Sequence, residues 1–177
     1  MKKVLITVTF LSLSFLLNSQ CDCTDCPIVV PDNGSETSTI DISGASNPTL
    51  DVNGQQVCQV CLSLLSDAVP EFAATLIAPD GSSIELILET GIGIGQNITL
   101  EICFVSCDQS ASPDGGFPSV FDSNAGYVAN GFYNGTYYPA DGNCLEDLTG
   151  SVDGDWELVM SDGFSLDQTT LQGWTIG

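Results

Sequence analysis

The sequence predicts an all-β protein, an antiparallel β-sandwich of about eight strands. One observation is that apolar and polar residues alternate with period two in short stretches, as in strands that bury one face and expose the other. The second is that Asn-Gly or Asp-Gly dipeptides, which favour tight turns, separate these stretches. They begin at Asn33, Asn53, Asp80, Asp114, Asn130, Asn134, Asp141, Asp153 and Asp162.

The alternation predicts which side chains of each strand point into the core. A residue and its second neighbour lie on the same face of a strand, so each apolar series marks one buried face. In chain order the predicted inward residues are Cys58, Val60, Leu62 and Leu64; Ile84, Leu86 and Leu88; Ile98, Leu100, Ile102 and Phe104; Trp156, Leu158 and Met160; and Trp174 and Ile176.

The N-terminal residues 1–20 have the layout of a secretory signal peptide. Lys2 and Lys3 precede an apolar run from Val4 to Leu17, and a short polar segment follows. The run is shorter than the ~20 residues of a membrane-spanning helix. We therefore expect a secreted or cell-surface protein with no transmembrane segment in the mature chain. Residues 21–27 form a Cys-rich lead-in, at which lipid attachment to Cys21 stays an alternative, and residues 28–177 form one domain.

The charge balance excludes several classes of function. The chain has 23 acidic residues, two basic residues and no histidine, which gives a net charge of −21. Both basic residues, Lys2 and Lys3, lie in the predicted signal peptide. The mature protein therefore has no cationic side chain to bind nucleic acid. It also lacks the groups needed for a His base, a Lys Schiff base or a Ser-His-Asp triad.

The cysteine count indicates disulfide bonds. An even number of cysteines in an exported chain predicts up to four bridges, whose connectivity the sequence leaves open. A zinc site is the alternative for the closely spaced cysteines. Cys58 and Cys61 are an odd number of residues apart, so in a regular strand they face opposite sides and are not expected to pair with each other. The predicted disulfide residues are Cys21, Cys23, Cys26, Cys58, Cys61, Cys103, Cys107 and Cys144.

The aspartates near the C-terminus are candidate ligands for calcium. Calcium takes six to eight oxygen ligands, which turn carboxylates and backbone carbonyls supply. Asp153, Asp155, Asp162 and Asp167 lie around the last predicted turns, and we expect them to converge at the strand ends. The alternative is a surface whose excess charge only keeps the protein soluble.

Several segments carry recognisable patterns: 28–44, 60–64 followed by 72–86, 134–139, and most specifically 154–162 followed by Asp167, Leu171, Gly173, Trp174 and Ile176. In this order they resemble the P domain, or Homo B domain, of kexin- and furin-like proprotein convertases, which also occurs in bacterial secreted and surface proteins. Segment 28–44 resembles its first strand pair, segments 60–64 and 72–86 its central hairpin, and segment 134–139 a late loop. The resemblance implies a jelly-roll-like sandwich without catalytic residues, which stabilises a neighbouring domain or presents a binding surface.

The leading functional hypothesis is a non-catalytic exported module for surface display, assembly or stabilisation of a neighbouring domain. Its partners would be proteins, including further copies of itself. A structural subunit of an extracellular fibre or adhesin is the second hypothesis. A hydrolase that uses only carboxylates is the third, because a glycosidase needs no histidine.

Overall fold

The computed structural model describes residues 21–51, 55–93, 96–108 and 119–177. The predicted signal peptide and the predicted turns at Asn53 and Asp114 lie outside these residues. Eight of the thirteen strands in the described part have five or more residues, which confirms the predicted all-β fold. The strands are β1 Cys21–Asp22, β2 Ile28–Val30, β3 Gly34–Ile42, β4 Thr49–Leu50, β5 Gln59–Ser66, β6 Phe72–Ile77, β7 Ser83–Ile87, β8 Ile98–Val105, β9 Ser119–Val120, β10 Phe132–Tyr138, β11 Gly150–Ser151, β12 Gly154–Asp162 and β13 Thr169–Ile176; short 3-10 helices cover Val69–Glu71, Ala140–Gly142 and Leu145–Asp147.

The strands form two main sheets. The larger sheet has the order β1-β13-β5-β8-β10-β9, and β2 also pairs with β13. The smaller sheet has the order β3-β12-β6-β7, and β4 and β11 form a separate pair. Buried side chains from both sheets belong to one hydrophobic cluster, as expected for a sandwich. Within the described residues, no helix has the length and apolar character needed to span a bilayer.

The predicted inward faces are largely confirmed. The inward residues of β8 and β12 are all buried, as are those of β13. In β5, Val60, Leu62 and Leu64 are buried, whereas Cys58 precedes the strand and is exposed. Leu88 follows the end of β7 and is only half-buried. Ile87 is buried in addition, because a register shift in the β6–β7 pair turns it inward.

Strand β10 corrects two expectations. It pairs in parallel with β8 and with β9, so the larger sheet is not purely antiparallel. The predicted turn at Asn134-Gly135 and the loop expected over 134–139 lie almost entirely inside this strand. Gly135 serves packing here: a Cβ atom at this position would stand 2.8 Å from Oη of Tyr137. The ring of Tyr137 packs edge-on against the buried Phe121, with centroids 5.2 Å apart.

A hydrogen-bond chain links the two sheets through the core. Trp174 of β13 donates from Nε1 to Oγ of Ser38 in β3, at 2.7 Å. Ser38 in turn donates to Oδ1 of Asp25, at 2.5 Å. Trp174 and Ser38 are 2% and 1% exposed, so the indole N–H has no access to water. A buried donor needs such a partner, because an unmade hydrogen bond costs more than a made one contributes.

We expect Ser38→Ala to lower the free energy of unfolding by about 1–3 kcal/mol, because it leaves the buried indole N–H of Trp174 without an acceptor. Urea unfolding followed by tryptophan fluorescence measures this loss. Ser63→Ala is the matched control. The hydroxyl of Ser63 donates to Glu101 on the exposed face of the larger sheet, so its removal should change stability by no more than about 0.5 kcal/mol. Equal losses in the two variants would contradict the role given to the Ser38–Trp174 bond.

Candidate functional site

The four aspartates expected to bind calcium lie at the two ends of one strand. Asp153 and Asp155 are at the start of β12, whereas Asp162 ends it and Asp167 lies in the turn to β13. Each residue of a strand adds roughly 3.3 Å, so about 30 Å of chain separates Asp153 from Asp162. The structure therefore divides the expected set into two pairs that cannot share one ion.

The pair at the start of β12, Asp153 and Asp155, does not have the environment of a metal site. Oδ1 of Asp153 accepts the backbone N–H of Ala45 at 2.9 Å. This bond holds the chain that leaves β3 against the start of β12. Asp155 is exposed on the outer face of the smaller sheet. The hydrogen bond to Ala45 therefore gives Asp153 a structural role that needs no metal ion.

The pair at the end of β12 belongs to a larger group of carboxylates. Asp162 is 2% exposed, and its Oδ1 accepts the backbone N–H of Phe164 at 3.0 Å. Glu71 lies beside it, since the N–H of Gly163 donates to the carbonyl of Glu71 at 3.3 Å. Glu71 is also 2% exposed. Its Oε1 accepts the N–H of Gly93 at 2.8 Å, and its Oε2 is buried without a hydrogen-bond partner.

Three further carboxylates surround this buried pair. Oδ2 of Asp32 accepts the N–H of Leu166 at 3.1 Å, which places it on the β12–β13 turn. Asp167 follows Leu166 directly. The carboxylate of Glu89 lies over Gly163, where a Cβ atom would stand 2.5 Å from its Oε2. We call Asp32, Glu71, Glu89, Asp162 and Asp167 the acidic cluster.

Burial and the neighbouring charges raise the pKa values of the two buried members, Glu71 and Asp162. Burial raises the pKa of Glu71, and the charges of Asp167, Asp162 and Asp32 raise it further against the opposing hydrogen bond from Gly93. Burial likewise raises the pKa of Asp162, with the charges of Asp32, Glu89 and Asp167 adding to the rise against the hydrogen bond from Phe164. Lys2 and Lys3, the only cationic side chains of the chain, lie outside the described residues.

Sequence reasoning found two members of the acidic cluster and missed three. Asp162 and Asp167 follow an apolar strand, and this position drew attention to them. Asp32, Glu71 and Glu89 come from other parts of the chain, and only strand pairing brings them near. Phe72 lies opposite Asp162 in the β6–β12 pair, which sets Glu71 beside the end of β12. No local pattern in the sequence predicts the register of the β6–β12 pair.

Six of the expected cysteines form three disulfide bonds, Cys23–Cys26, Cys61–Cys103 and Cys107–Cys144. Cys61 and Cys103 are directly opposite each other in the β5–β8 pair. Among the described residues, three possible metal-ligand atoms lie close together at two places, and each place includes a disulfide bridge. The groups are Cys23, Asp25 and Cys26, and Cys107, Cys144 and Glu146. Their sulfurs are already bonded to each other and are not thiolate ligands, which disfavours zinc at these cysteines.

Two expected disulfide residues stand apart from these bridges. Cys58 is a free, exposed cysteine, which differs from the expectation that it forms a bridge. Its position explains this: it precedes β5, and its N–H bonds the carbonyl of Gly177 at 2.8 Å. The backbone of Cys21 pairs with Ile176 in the β1–β13 ladder, and its side chain lies outside what the structure describes.

Glu146 fastens the segment next to the Cys107–Cys144 bridge. Its Oε1 accepts the N–H of Asp108 at 2.8 Å and the hydroxyl of Ser106, and its Oε2 accepts the N–H of Cys107 at 3.1 Å. Burial alone raises the pKa of Glu146, but these hydrogen bonds outweigh it and hold the pKa below the usual range. The ionised form of Glu146 is therefore part of the folded state.

The outer face of the larger sheet has an exposed row of apolar and threonine side chains. Strand pairing aligns Val29 with Thr170, Thr170 with Leu65, Leu65 with Thr99, and Thr99 with Phe132. Val29 is 50% exposed, Leu65 37% and Phe132 62%. We call these five residues the apolar row. It crosses five neighbouring strands, about 19 Å at a spacing of ~4.8 Å per strand.

Two open grooves lie beside the sheets. One, of about 450 Å³, lies on the larger sheet next to the Cys23–Cys26 and Cys61–Cys103 bridges, and its lining carboxylates are Asp22 and Glu101. The other, of about 420 Å³, lies at the end of the sandwich near Trp156 and has Asp41 as its lining carboxylate. Neither groove is lined by any member of the acidic cluster.

Among known proteins, no family model matches the chain, and no curated protein matches it. A crystal structure of Aeromonas sobria serine protease in complex with the chaperone ORF2 is similar at 16% identity, with a TM-score of 0.36. A crystal structure of the Aeromonas sobria protease alone is similar at 16% identity, with a TM-score of 0.35. Each match covers 85% of this chain and 26% of the other, so this chain spans about a quarter of those proteins. Likeness at this level carries no argument about function.

We expect Glu146→Gln to reduce the sensitivity of the protein to acid. A carboxylate whose pKa is lowered by folding adds stability above its unfolded pKa of ~4.3, and that stability is lost as the pH falls through the lower folded value. Melting temperatures measured between pH 7 and pH 3 test this. The variant should melt below the wild type at pH 7 and approach it at pH 3. Glu85→Gln, at an exposed position of β7, should leave the wild-type profile in place. A variant profile parallel to that of the wild type would contradict the assignment.

Proposed function

We propose that this protein is a non-catalytic exported module of the P-domain type, which binds another protein through the outer face of its larger sheet. The apolar row is the observation that carries the proposal. Its three large apolar side chains are 37–62% exposed and lie in one line on a rigid sheet. Exposed apolar side chains that gather on one face of a soluble protein are candidates for an interaction site.

The chemistry of the partner follows from charge. The mature chain has 23 carboxylates and no cationic side chain of its own, so its surface repels acidic proteins and attracts basic ones. The expected partner is a protein or neighbouring domain with Lys or Arg residues around a small apolar patch. Salt should weaken this association, because exposed charges are screened.

The grooves give little support to a hydrolase. A glycosidase places two carboxylates about 5–9.5 Å apart. In the groove on the larger sheet, Asp22 and Glu101 lie on β1 and β8, three strand spacings apart in the sheet order. Three spacings amount to roughly 14 Å. The other groove has a single lining carboxylate. Neither of these two grooves therefore offers a pair of carboxylates at the spacing of a glycosidase.

A triple variant of the apolar row tests the proposal. Val29→Thr, Leu65→Thr and Phe132→Thr remove apolar surface while keeping residues that favour strands. Wild-type protein on a solid support should retain a basic protein from the exported fraction of the organism that encodes it, and salt should elute that protein. The triple variant should retain at least about tenfold less, since loss of a few apolar contacts costs ~1.4 kcal/mol or more.

The control lies on the opposite face of the sandwich. Val159 and Ile77 point outward from the smaller sheet and are half-buried. Val159→Thr with Ile77→Thr should leave retention unchanged. Equal retention by the wild type and the triple variant would exclude the apolar row as the binding surface.

A structural subunit of an extracellular fibre or adhesin is the second candidate, and Cys58 is the observation that favours it. A free, exposed thiol in an exported chain is able to cross-link two copies. For an accessory module, we expect a monomer whose Cys58 reacts with a thiol reagent without denaturation, a reaction that Cys58→Ser removes. For a fibre subunit, non-reducing gels would show disulfide-linked multimers that disappear in Cys58→Ser. Sizing columns run with and without reductant give the same distinction.

A further inference from the structure

The end of β12 has an unusual concentration of like charge. The five carboxylates of the acidic cluster come from the approach to β3, the 3-10 helix before β6, the segment after β7, the end of β12 and the turn before β13. Two of them, Glu71 and Asp162, are 98% buried. Such a cluster alone does not make a metal site, because exposed carboxylates are common on acidic proteins.

Glu71 supplies a second and independent observation. Its Oε1 has the N–H of Gly93, but its Oε2 is buried and has no hydrogen-bond partner. Orphaned buried polar atoms are rare in native proteins, and each one requires an explanation such as an ion or a bound water. The carboxylates beside Glu71, Asp162 and Asp167 among them, accept hydrogen bonds and attract cations when they are ionised. A cation is therefore the kind of ion that would satisfy this oxygen.

We propose that the acidic cluster binds one calcium ion, with Glu71 and Asp162 as its buried ligands and with Asp32, Glu89 and Asp167 completing the site from the exposed side. All five donors are hard oxygens, and no sulfur or imidazole stands among them. This donor set suits calcium and disfavours zinc and copper. Calcium also accepts irregular geometry from six to eight oxygens, so backbone carbonyls of the turn and water fill the remaining positions.

Ion binding requires side chains of the acidic cluster to move closer together. Outside the two disulfide groups, no three ligand atoms among the described residues lie within 4.8 Å of one another. Like charges repel, and a cation among them would remove the cost of their close approach. Asp32 and Glu89 are exposed and Asp167 is half-buried, so their side chains have room to turn towards Glu71.

The ion would join segments that come from different sheets. Glu71, Glu89 and Asp162 belong to the smaller sheet or to its connections, whereas Asp167 precedes β13 of the larger sheet. Binding to the folded state alone raises its stability in proportion to the logarithm of ligand concentration. Calcium would therefore link the two sheets at this end of the sandwich and stabilise the folded state.

The experiment uses the mature chain, freed of divalent ions with a chelator and then dialysed. Titration calorimetry with calcium chloride should show one ion bound per chain. The melting temperature should rise more with calcium chloride than with sodium chloride of equal ionic strength. Equal rises in the two salts would overturn the proposal, because screening alone depends only on ionic strength.

Matched variants locate the site. Glu71→Gln and Asp162→Asn should each weaken calcium binding at least about tenfold, a change of ~1.4 kcal/mol. Glu71→Gln keeps a carbonyl oxygen for Gly93 and removes a buried charge, so its melting temperature without calcium should equal or exceed that of the wild type. Asp153→Asn and Asp155→Asn, at the far end of β12, should bind calcium as the wild type does. Unchanged binding in both Glu71→Gln and Asp162→Asn would overturn the location, and so would an equal loss in the Asp153 and Asp155 variants.

Discussion

The structure depends on how the described residues, which include no Lys, Arg or His, accommodate their carboxylates. The hydrogen-bond partners of these carboxylates are therefore neutral donors, chiefly backbone N–H groups of turns. Asp153 accepts from the loop after β3, Asp32 from the β12–β13 turn and Glu146 from the segment beside the Cys107–Cys144 bridge. Asp80 accepts the hydroxyl and the backbone N–H of Ser82 in the β6–β7 hairpin, and these two bonds, the hydroxyl first, lower the pKa of Asp80. Asp80 therefore shapes its own turn, whereas Asp153, Asp32 and Glu146 each hold a segment from another part of the chain.

The part of the fold that follows from period-two alternation was predictable. The buried faces of β8, β12 and β13 depend only on which side a residue takes in an extended chain. Turn signals were less reliable, because they describe local preference alone. Asp80-Gly81 forms the expected turn, with φ of +87° at Gly81. Asn134-Gly135 lies within β10, where pairing with β8 and the packing of Tyr137 outweigh the preference for a turn.

Only those members of the candidate site that lie near each other in the sequence were predictable. Asp162 and Asp167 stand out because they follow a strand with a clear apolar face. Asp153 and Asp155 flank the start of the same strand, and the length of β12 places them at its opposite end. Glu71 depends on the register between β6 and β12, a pairing of residues about ninety positions apart in sequence. The disulfides show the same limit: parity constrained Cys58 and Cys61, but only the β5–β8 register pairs Cys61 with Cys103.

The acidic cluster and the apolar row lie close enough to influence each other. Asp32 follows Val29 by three residues and Asp167 precedes Thr170 by three, so about 10 Å of strand separates the row from the carboxylates on this side. This distance is comparable to the Debye length at physiological ionic strength, ~8 Å, so charge at the cluster still acts on a molecule bound at the row. Without a bound cation, that charge would attract the proposed basic partner most strongly. A calcium ion would add two positive charges there and weaken the long-range attraction of the partner. It would also stabilise the end of the larger sheet next to the apolar row. Stability of the module and attraction of its partner would then respond to calcium in opposite directions.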